Sequence, residues 1–143
     1  MLRIAVAAGL LLLTGCSGAT PAATTIPGSC PAEVSEAVMT TIREQQNAFA
    51  RGDFEGARAF ASAGFRQVVD ADQFVEIIQT RYGYLLTDPD LQFLRCDLLR
   101  DKAQMTVLVK VSPEQTLTYR VIPEGDRWRI DGATARESTA VKA

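Results

Sequence analysis

Histidine is absent from this chain of 143 residues, in which 15 Lys and Arg face 17 Asp and Glu. Histidine is the commonest metal ligand and the commonest general base near neutral pH. Its absence excludes zinc sites of the Cys/His type and the usual acid–base pairs. The formal net charge of −2 also argues against nucleic acid as a partner, because nucleic-acid binding depends on basic surfaces.

The chain also lacks an apolar run long enough to span a membrane. Its longest apolar run lies close to the N-terminus. Ile4 to Leu13 is apolar apart from Gly9, and a single basic residue, Arg3, precedes it. A helix that spans a bilayer needs about 20 apolar residues, and this run has about half of that length. A short basic start, a short apolar run and small residues after it are typical of a secretory signal.

The residues that end this segment point to a more specific signal. Leu13-Thr14-Gly15-Cys16 resembles the lipobox of bacterial lipoproteins. In that family the cysteine receives a diacylglyceryl thioether, and the peptide before it is removed. The resemblance implies a signal peptide over residues 1–15, lipidation of Cys16 and an anchor on the outer face of the cell membrane. The alternatives are an uncleaved helix and cleavage at an ordinary site such as Ala19 or Ala23.

This anchor would need no second membrane signal. One acyl chain holds a protein to a bilayer only marginally, whereas two chains on one sulfur give a stable attachment. Removal of residues 1–15 takes away Arg3 and lowers the formal net charge from −2 to −3. We therefore expect the lipid, and not a basic surface, to hold the domain at the membrane.

Cysteine is scarce, and besides Cys16 the chain holds only Cys30 and Cys96. An even pair of cysteines in an exported protein is expected to be oxidised. We predict a disulfide between them, which would close a loop of about 67 residues and contribute about 4 kcal/mol. The alternative is two free thiols, with Cys96 buried in a strand and Cys30 in a linker. No Cys-x-x-Cys motif indicates redox catalysis.

The exported part of the chain begins with a predicted flexible spacer over residues 16–31, which is rich in Ser, Thr, Ala, Pro and Gly. Apolar residues then recur with a helical period, which predicts three helices within residues 32–83. Asp70 or Asp72 is placed to cap the third helix. The segment 65–69 is predicted to be a short strand or an extended link.

From Leu91 onwards the apolar period changes to two residues, which predicts four half-buried strands. Leu94, Cys96 and Leu98 are assigned to the apolar face of the first strand. The links between the strands are short and turn-like, so an antiparallel meander is expected. Helices followed by such a meander predict an α+β fold, with the helices packed on a curved four-stranded sheet. Residues 135–143 are predicted to be a frayed tail.

A family resemblance rests on the order of several short patterns. These are Ile42-x-x-Gln45-x-x-Ala48-Phe49-x-x-Gly52-Asp53-x-x-x-Ala57, a helix with Phe74 and Tyr82, and a closing Trp128-Arg129-Ile130-Asp131-Gly132. Together they resemble the nuclear-transport-factor-2-like superfamily, and within it small bacterial domains of unknown function. The resemblance implies a cystatin-like α+β cone over residues 32–134, with a pocket between the helices and the concave sheet. That superfamily includes isomerases, dehydratases, cyclases and non-catalytic modules, so the fold does not give the function.

The candidate pocket residues are Tyr82, Tyr119 and Trp128. Tyr119 alternates with the apolar residues of its strand, so its ring is expected to point inward, where packing is its simplest role. Trp128 is expected to anchor the packing of the last strand, and stacking on a ligand is the alternative. No catalytic residue and no cofactor are assigned.

The acidic residues give no sign of catalysis or of a metal. Asp131 is expected to be a solvated strand residue that pairs with Arg127 or Arg129. The acidic stretches 70–72 and 88–90 lack the spaced ligands, the central glycine and the distal Glu of an EF-hand loop. Capping and turn roles are therefore predicted for them, and no metal site is expected.

Two classes of function remain open. The first is a non-catalytic module of the cell envelope, whose pocket or sheet face holds a small apolar ligand or a partner envelope protein. The second is an isomerase- or dehydratase-type enzyme that uses Tyr and Asp in the cavity, for which a carboxylate beside a tyrosine in the cavity wall would be the sign. A homodimer formed through the outer sheet face is a further expectation.

Overall fold

The computed structural model describes residues 28–137. The predicted signal peptide, Cys16, the spacer up to residue 27 and the last six residues of the tail lie outside this range. No helix within the described range is both long enough and apolar enough to cross a membrane.

Four α-helices and one 3-10 helix precede four strands within the described range. In chain order they are α1 (Ala32–Ala50), α2 (Phe54–Arg58), α3 (Ala63–Val68), α4 (Ala71–Arg81), the 3-10 helix η1 (Gly83–Thr87), β1 (Asp90–Leu99), β2 (Lys102–Lys110), β3 (Gln115–Glu124) and β4 (Arg127–Glu137). The strands form one antiparallel sheet in the order β1-β2-β3-β4. The α+β class and the meander are confirmed, whereas the predicted number of three helices is wrong.

The additional helix, α3, occupies the segment that was expected to be a short strand or an extended link. Ser62 precedes it, and its hydroxyl accepts a hydrogen bond from the N–H of Phe65 at 3.0 Å. A serine at this position satisfies one of the free N–H groups of a first helical turn. Asp70 caps α4 in the same way, because its carboxylate accepts a hydrogen bond from the N–H of Gln73 at 2.9 Å. The cap of this helix is therefore Asp70 and not Asp72.

The core lies between the helices and the inner face of the sheet. One face of α1 enters it with Val38, Ile42 and Phe49, which are at most 2% exposed. The sheet contributes alternate residues of β2 and β3, among them Met105, Val107, Val109, Leu117, Tyr119 and Val121. This alternation is that of strands with one buried face.

A β-bulge in β1 changes which side chains face the core. Phe93 pairs with Val107, whereas Arg95 already pairs with Thr106, so Leu94 is the extra residue on this strand. An extra residue reverses the in–out alternation after it. Leu94 is consequently 51% exposed, and its assignment to the apolar face with Cys96 was wrong.

As the sequence predicted, a disulfide joins Cys30 to Cys96. The Cα atoms of the two residues lie 5.4 Å apart. The residues around Cys30 also pair with β1. The N–H of Cys30 donates to the carbonyl of Cys96 at 3.0 Å, and the N–H of Leu98 donates to the carbonyl of Gly28 at 2.6 Å. The last residues of the predicted spacer are therefore attached along the edge of the sheet.

The end of β4 extends the folded part beyond the boundary expected at residue 134. Arg136 pairs with Thr116 of β3, and Glu137 pairs with Gln115. Residues 135–137, which were assigned to the frayed tail, are strand residues because β3 is long enough to pair with them.

Candidate functional site

A cavity of about 110 Å³ lies between the helices and the inner face of β3 and β4. Most of its wall is aromatic or aliphatic, including Phe49, Phe65, Phe74, Ile77, Ile78 and Leu117. None of the described residues that line it carries a charge. An engineered apolar cavity of about 150 Å³ holds a benzene molecule. This cavity therefore suits a group of about the size of one aromatic ring, or a short aliphatic chain.

Tyr82 stands where α4 ends and η1 begins, and its side chain lines the cavity. Its hydroxyl donates a hydrogen bond to the backbone carbonyl of Ala133 on β4 at 3.0 Å. Because this bond joins the end of α4 to the edge strand, it fixes the position of one cavity wall. The Tyr82 hydroxyl hydrogen is thereby already used within the protein.

Tyr119 lies in the middle of β3 and lines the same cavity, with only 3% of its surface exposed. No residue within the described range accepts a hydrogen bond from its hydroxyl. Burial, and secondarily the neighbouring Tyr84 and Tyr82, raise the pKa of Tyr119 well above its usual value. The side chain therefore remains a neutral phenol, which is a hydrogen-bond donor, at any physiological pH.

Tyr84, in η1, has a buried hydroxyl that also finds no partner among the described residues. Its ring lies 6.3 Å from that of Tyr82, measured between the ring centroids. Burial first, and Tyr82 second, raise the pKa of Tyr84 to about 12. Tyr84 is not part of the described cavity wall, and its side chain packs against the core.

Trp128, the third candidate pocket residue, is not among the described residues that line the cavity. It is half-buried on β4 and packs against the core. Its backbone carbonyl accepts a hydrogen bond from the Thr41 hydroxyl at 3.1 Å, which joins β4 to α1. The structure therefore brings Tyr82 and Tyr119 together at one cavity and leaves Trp128 in the packing beside it.

Asp131 does not make the ion pair with Arg127 or Arg129 that was expected, so that prediction is wrong. Its Oδ1 accepts a hydrogen bond from the Ser62 hydroxyl at 2.7 Å, and its Oδ2 accepts one from Nε of Arg120 at 2.9 Å. A register shift after Arg120 places this arginine beside Asp131 on the neighbouring strand.

Electrostatics keep Asp131 ionised in this position. Burial raises the pKa of its carboxyl, but hydrogen bonds from Ser62 and Arg120 and the charge of Arg120 outweigh that effect, so the pKa is lowered overall. The carboxylate joins β4 to the start of α3 and is not part of the described cavity wall. Its role in this arrangement is structural.

Gln45 is a cavity residue that the sequence reasoning did not select as a site. It lies on the buried face of α1, and its Nε2 donates a hydrogen bond to the carbonyl of Ala57 at 3.2 Å. The signal in the sequence is a polar residue three positions after Ile42, on a face whose other buried residues are apolar except for Gln46. Within residues 28–137, no group of three or more His, Cys, Asp or Glu side chains could hold a metal ion.

Comparison with known families gives one match. The family model described as "Domain of unknown function (DUF4864)" matches residues 32–143. No curated protein sequence matches the chain.

Three solved structures are similar to this one in fold. An NTF-2 like protein of unknown function from Shewanella oneidensis has a TM-score of 0.51 and 16% identity, over 71% of this chain and 98% of that one. A domain of unknown function with a cystatin-like fold from Nostoc punctiforme has a TM-score of 0.55 and 14% identity, over 78% and 82%. Aln2 from a Streptomyces species has a TM-score of 0.53 and 16% identity, over 76% and 94%. At these identities the likeness confirms the predicted nuclear-transport-factor-2-like, cystatin-like fold and nothing beyond the fold.

Proposed function

The chain belongs to the DUF4864 family of domains of unknown function, and from its cavity we propose that it is a non-catalytic binding module. From the Leu13-Thr14-Gly15-Cys16 motif we propose that this module is lipid-anchored on the outer face of the cell membrane. The observation that carries the proposal is the uncharged cavity beneath the sheet, with its aromatic and aliphatic wall. Concave sites with mostly apolar walls and a few polar groups are typical of small-molecule binding. The proposed ligand is a small apolar molecule.

The position of Asp131 favours binding over the isomerase or dehydratase alternative. An enzyme of that type without histidine requires a carboxylate in the cavity, placed to move a proton. The described residues of the cavity wall include no carboxylate. The carboxylate of Asp131 already accepts hydrogen bonds from Ser62 and Arg120, and its lowered pKa makes it a weaker proton acceptor.

The attachment of the N-terminal segment is compatible with an anchored module whose cavity stays accessible. Residues 28–30 pair with β1 and are fixed there by the disulfide. The cavity is lined by residues of β3 and β4, at the other side of the sheet. The described end of the tether therefore meets the domain at the edge strand opposite to β4.

The proposed anchor predicts that Cys16→Ser releases the protein from the membrane. In a bacterium that processes lipoproteins, the wild-type chain should enter the membrane fraction and incorporate labelled palmitate, because its thiol accepts the diacylglyceryl group. Cys16→Ser should do neither, since a spacer without acyl chains has almost no affinity for a bilayer. Cell fractionation with palmitate labelling measures both. A Cys16→Ser protein that remains acylated in the membrane would contradict the anchor, and Ser17→Ala is the matched control that should stay anchored.

The proposed binding role predicts that filling the cavity abolishes the capture of a ligand. Ala133 pairs with Tyr119 across the sheet and lines the cavity, so Ala133→Leu adds three carbon atoms to the space that a ligand would use. The next residue, Thr134, is exposed, and Thr134→Leu is the matched control. Organic extracts of the purified full-length proteins, analysed by mass spectrometry, should contain an apolar molecule with the wild type and Thr134→Leu, and none with Ala133→Leu.

Two results would contradict the binding role. One is a wild-type extract that contains no apolar molecule. The other is the same molecule in equal amounts with Ala133→Leu, because such a molecule would bind elsewhere on the domain.

A further inference from the structure

The Tyr119 hydroxyl is the feature of the cavity that packing does not explain. Leu117 and Val121, two residues away on the same face of β3, are aliphatic and fully buried. A phenylalanine would meet the same packing requirement at position 119. The hydroxyl belongs to a residue that is 3% exposed and that lines the cavity, and it makes no hydrogen bond with a described residue. Unlike the Tyr84 hydroxyl, it is not one of the fully buried polar atoms without a partner, so it borders open space, and a donor that faces an apolar cavity without an acceptor is costly. Such a group in a native protein calls for a partner.

The other two tyrosines of this region differ from Tyr119 in one respect each. Tyr82 lines the cavity, but its hydroxyl already donates to the Ala133 carbonyl at 3.0 Å. The Tyr84 hydroxyl is unpaired among the described residues, but its side chain is not part of the described cavity wall. Tyr119 therefore presents to the cavity a donor that no described residue uses.

The cavity wall also restricts the charge of a ligand. No described lining residue is charged, so an ionised ligand would lose its hydration without gaining a counter-ion. From these observations, and resting on the binding function proposed above, we infer that the cavity selects a neutral apolar molecule whose oxygen accepts a hydrogen bond from the Tyr119 hydroxyl. The inserted part of this molecule has about the size of one six-membered ring, as the cavity volume of about 110 Å³ requires.

Three probes of similar shape test this inference. Acetophenone carries a carbonyl acceptor, isopropylbenzene has nearly the same shape without an acceptor, and benzoate is anionic. Their affinities are measured by amide chemical-shift titration of the full folded domain, as wild type and as Tyr119→Phe. We expect acetophenone to bind roughly five- to tenfold more weakly to Tyr119→Phe, which corresponds to one lost hydrogen bond. Isopropylbenzene should bind both proteins equally, and benzoate should bind neither.

The matched control is Tyr84→Phe, which removes a buried, unpaired hydroxyl outside the described cavity wall. The ratio of the acetophenone and isopropylbenzene affinities should be the same as in the wild type. A second readout needs no substitution, because the resonance of a ¹³Cζ-labelled tyrosine reports hydrogen bonding of its hydroxyl. In the wild-type protein, acetophenone should shift the Tyr119 signal and isopropylbenzene should not.

The outcomes separate this inference from the proposed function. If no probe binds the wild type, both are overturned. If the probes bind but Tyr119→Phe leaves the affinity ratio unchanged, or Tyr84→Phe changes it equally, the binding function stands and the role of Tyr119 is overturned. Binding of benzoate as tight as that of acetophenone would overturn the selection for neutral ligands.

Discussion

Reduction of the Cys30–Cys96 disulfide is expected to lower the free energy of unfolding by about 4 kcal/mol. The bond joins residues 66 positions apart, so it removes a large loop-closure entropy from the unfolded chain. A domain of this size has a total stability of about 5–15 kcal/mol, so the loss is a large share of it. Urea unfolding curves with and without reductant, and of a Cys30→Ala/Cys96→Ala double variant, measure the effect.

The same experiment has a local readout at the sheet edge. The N–H of Cys30 and the N–H of Leu98 are bonded across the contact between residues 28–30 and β1. After reduction, their hydrogen exchange should accelerate more than that of amides in the β2–β3 ladder, because only the edge contact loses its covalent link. Cys16→Ser, which leaves the disulfide intact, should unfold at the wild-type urea concentration. Equal unfolding midpoints for the oxidised and the reduced protein would contradict the stabilising role.

The strands were predictable because each repeats the same signal over many residues. Alternation of apolar and polar residues within each of β1 to β4, with short links, leads directly to the antiparallel meander. Helix α3 has six residues, less than two full turns, so no period could be read there. The information in that segment is the cap at Ser62, which periodicity does not detect.

The bulges explain the other errors of the sequence reasoning. Alternation assigned Leu94 to the core, but one extra residue in β1 turns it to solvent. The register shift between Arg120 and Val121 likewise brings Arg120 to Asp131, although nearer arginines were available along the chain. A bulge is specified by the pairing of two strands, so a single strand's pattern does not reveal it.

The candidate site was predictable only where side-chain direction follows from a regular strand. Tyr119 shares the parity of Leu117 and Val121, and the structure places all three inside. Trp128 has the right chemistry for a pocket but packs beside it, because its distance from the cavity depends on how β4 meets α1. The unpaired state of the Tyr119 hydroxyl depends on every surrounding element, and no local pattern encodes it.

Leu117→Ala is expected to cost about 2–5 kcal/mol of the free energy of unfolding. Leu117 is fully buried in β3 and lines the cavity, so its truncation removes packed methyl groups and enlarges an existing space. The surrounding β2–β3–β4 ladder restrains collapse into that space, which favours the upper part of this range. Leu94→Ala is the matched control, and it should change stability by less than about 0.5 kcal/mol because that side chain is half exposed at the bulge.

The pair of variants tests the register of β1 and the cavity together. Equal losses in urea unfolding for Leu94→Ala and Leu117→Ala would place Leu94 in the core and contradict the bulge. If only Leu117→Ala loses stability, a second measurement asks whether the space left by the truncated side chain joins the cavity. If it does, isopropylbenzene should bind Leu117→Ala more tightly than the wild type and raise its unfolding midpoint more at equal concentration, because a ligand stabilises the state that binds it. A destabilised Leu117→Ala protein that gains nothing from the probe would mean that the sheet closes over the truncated side chain.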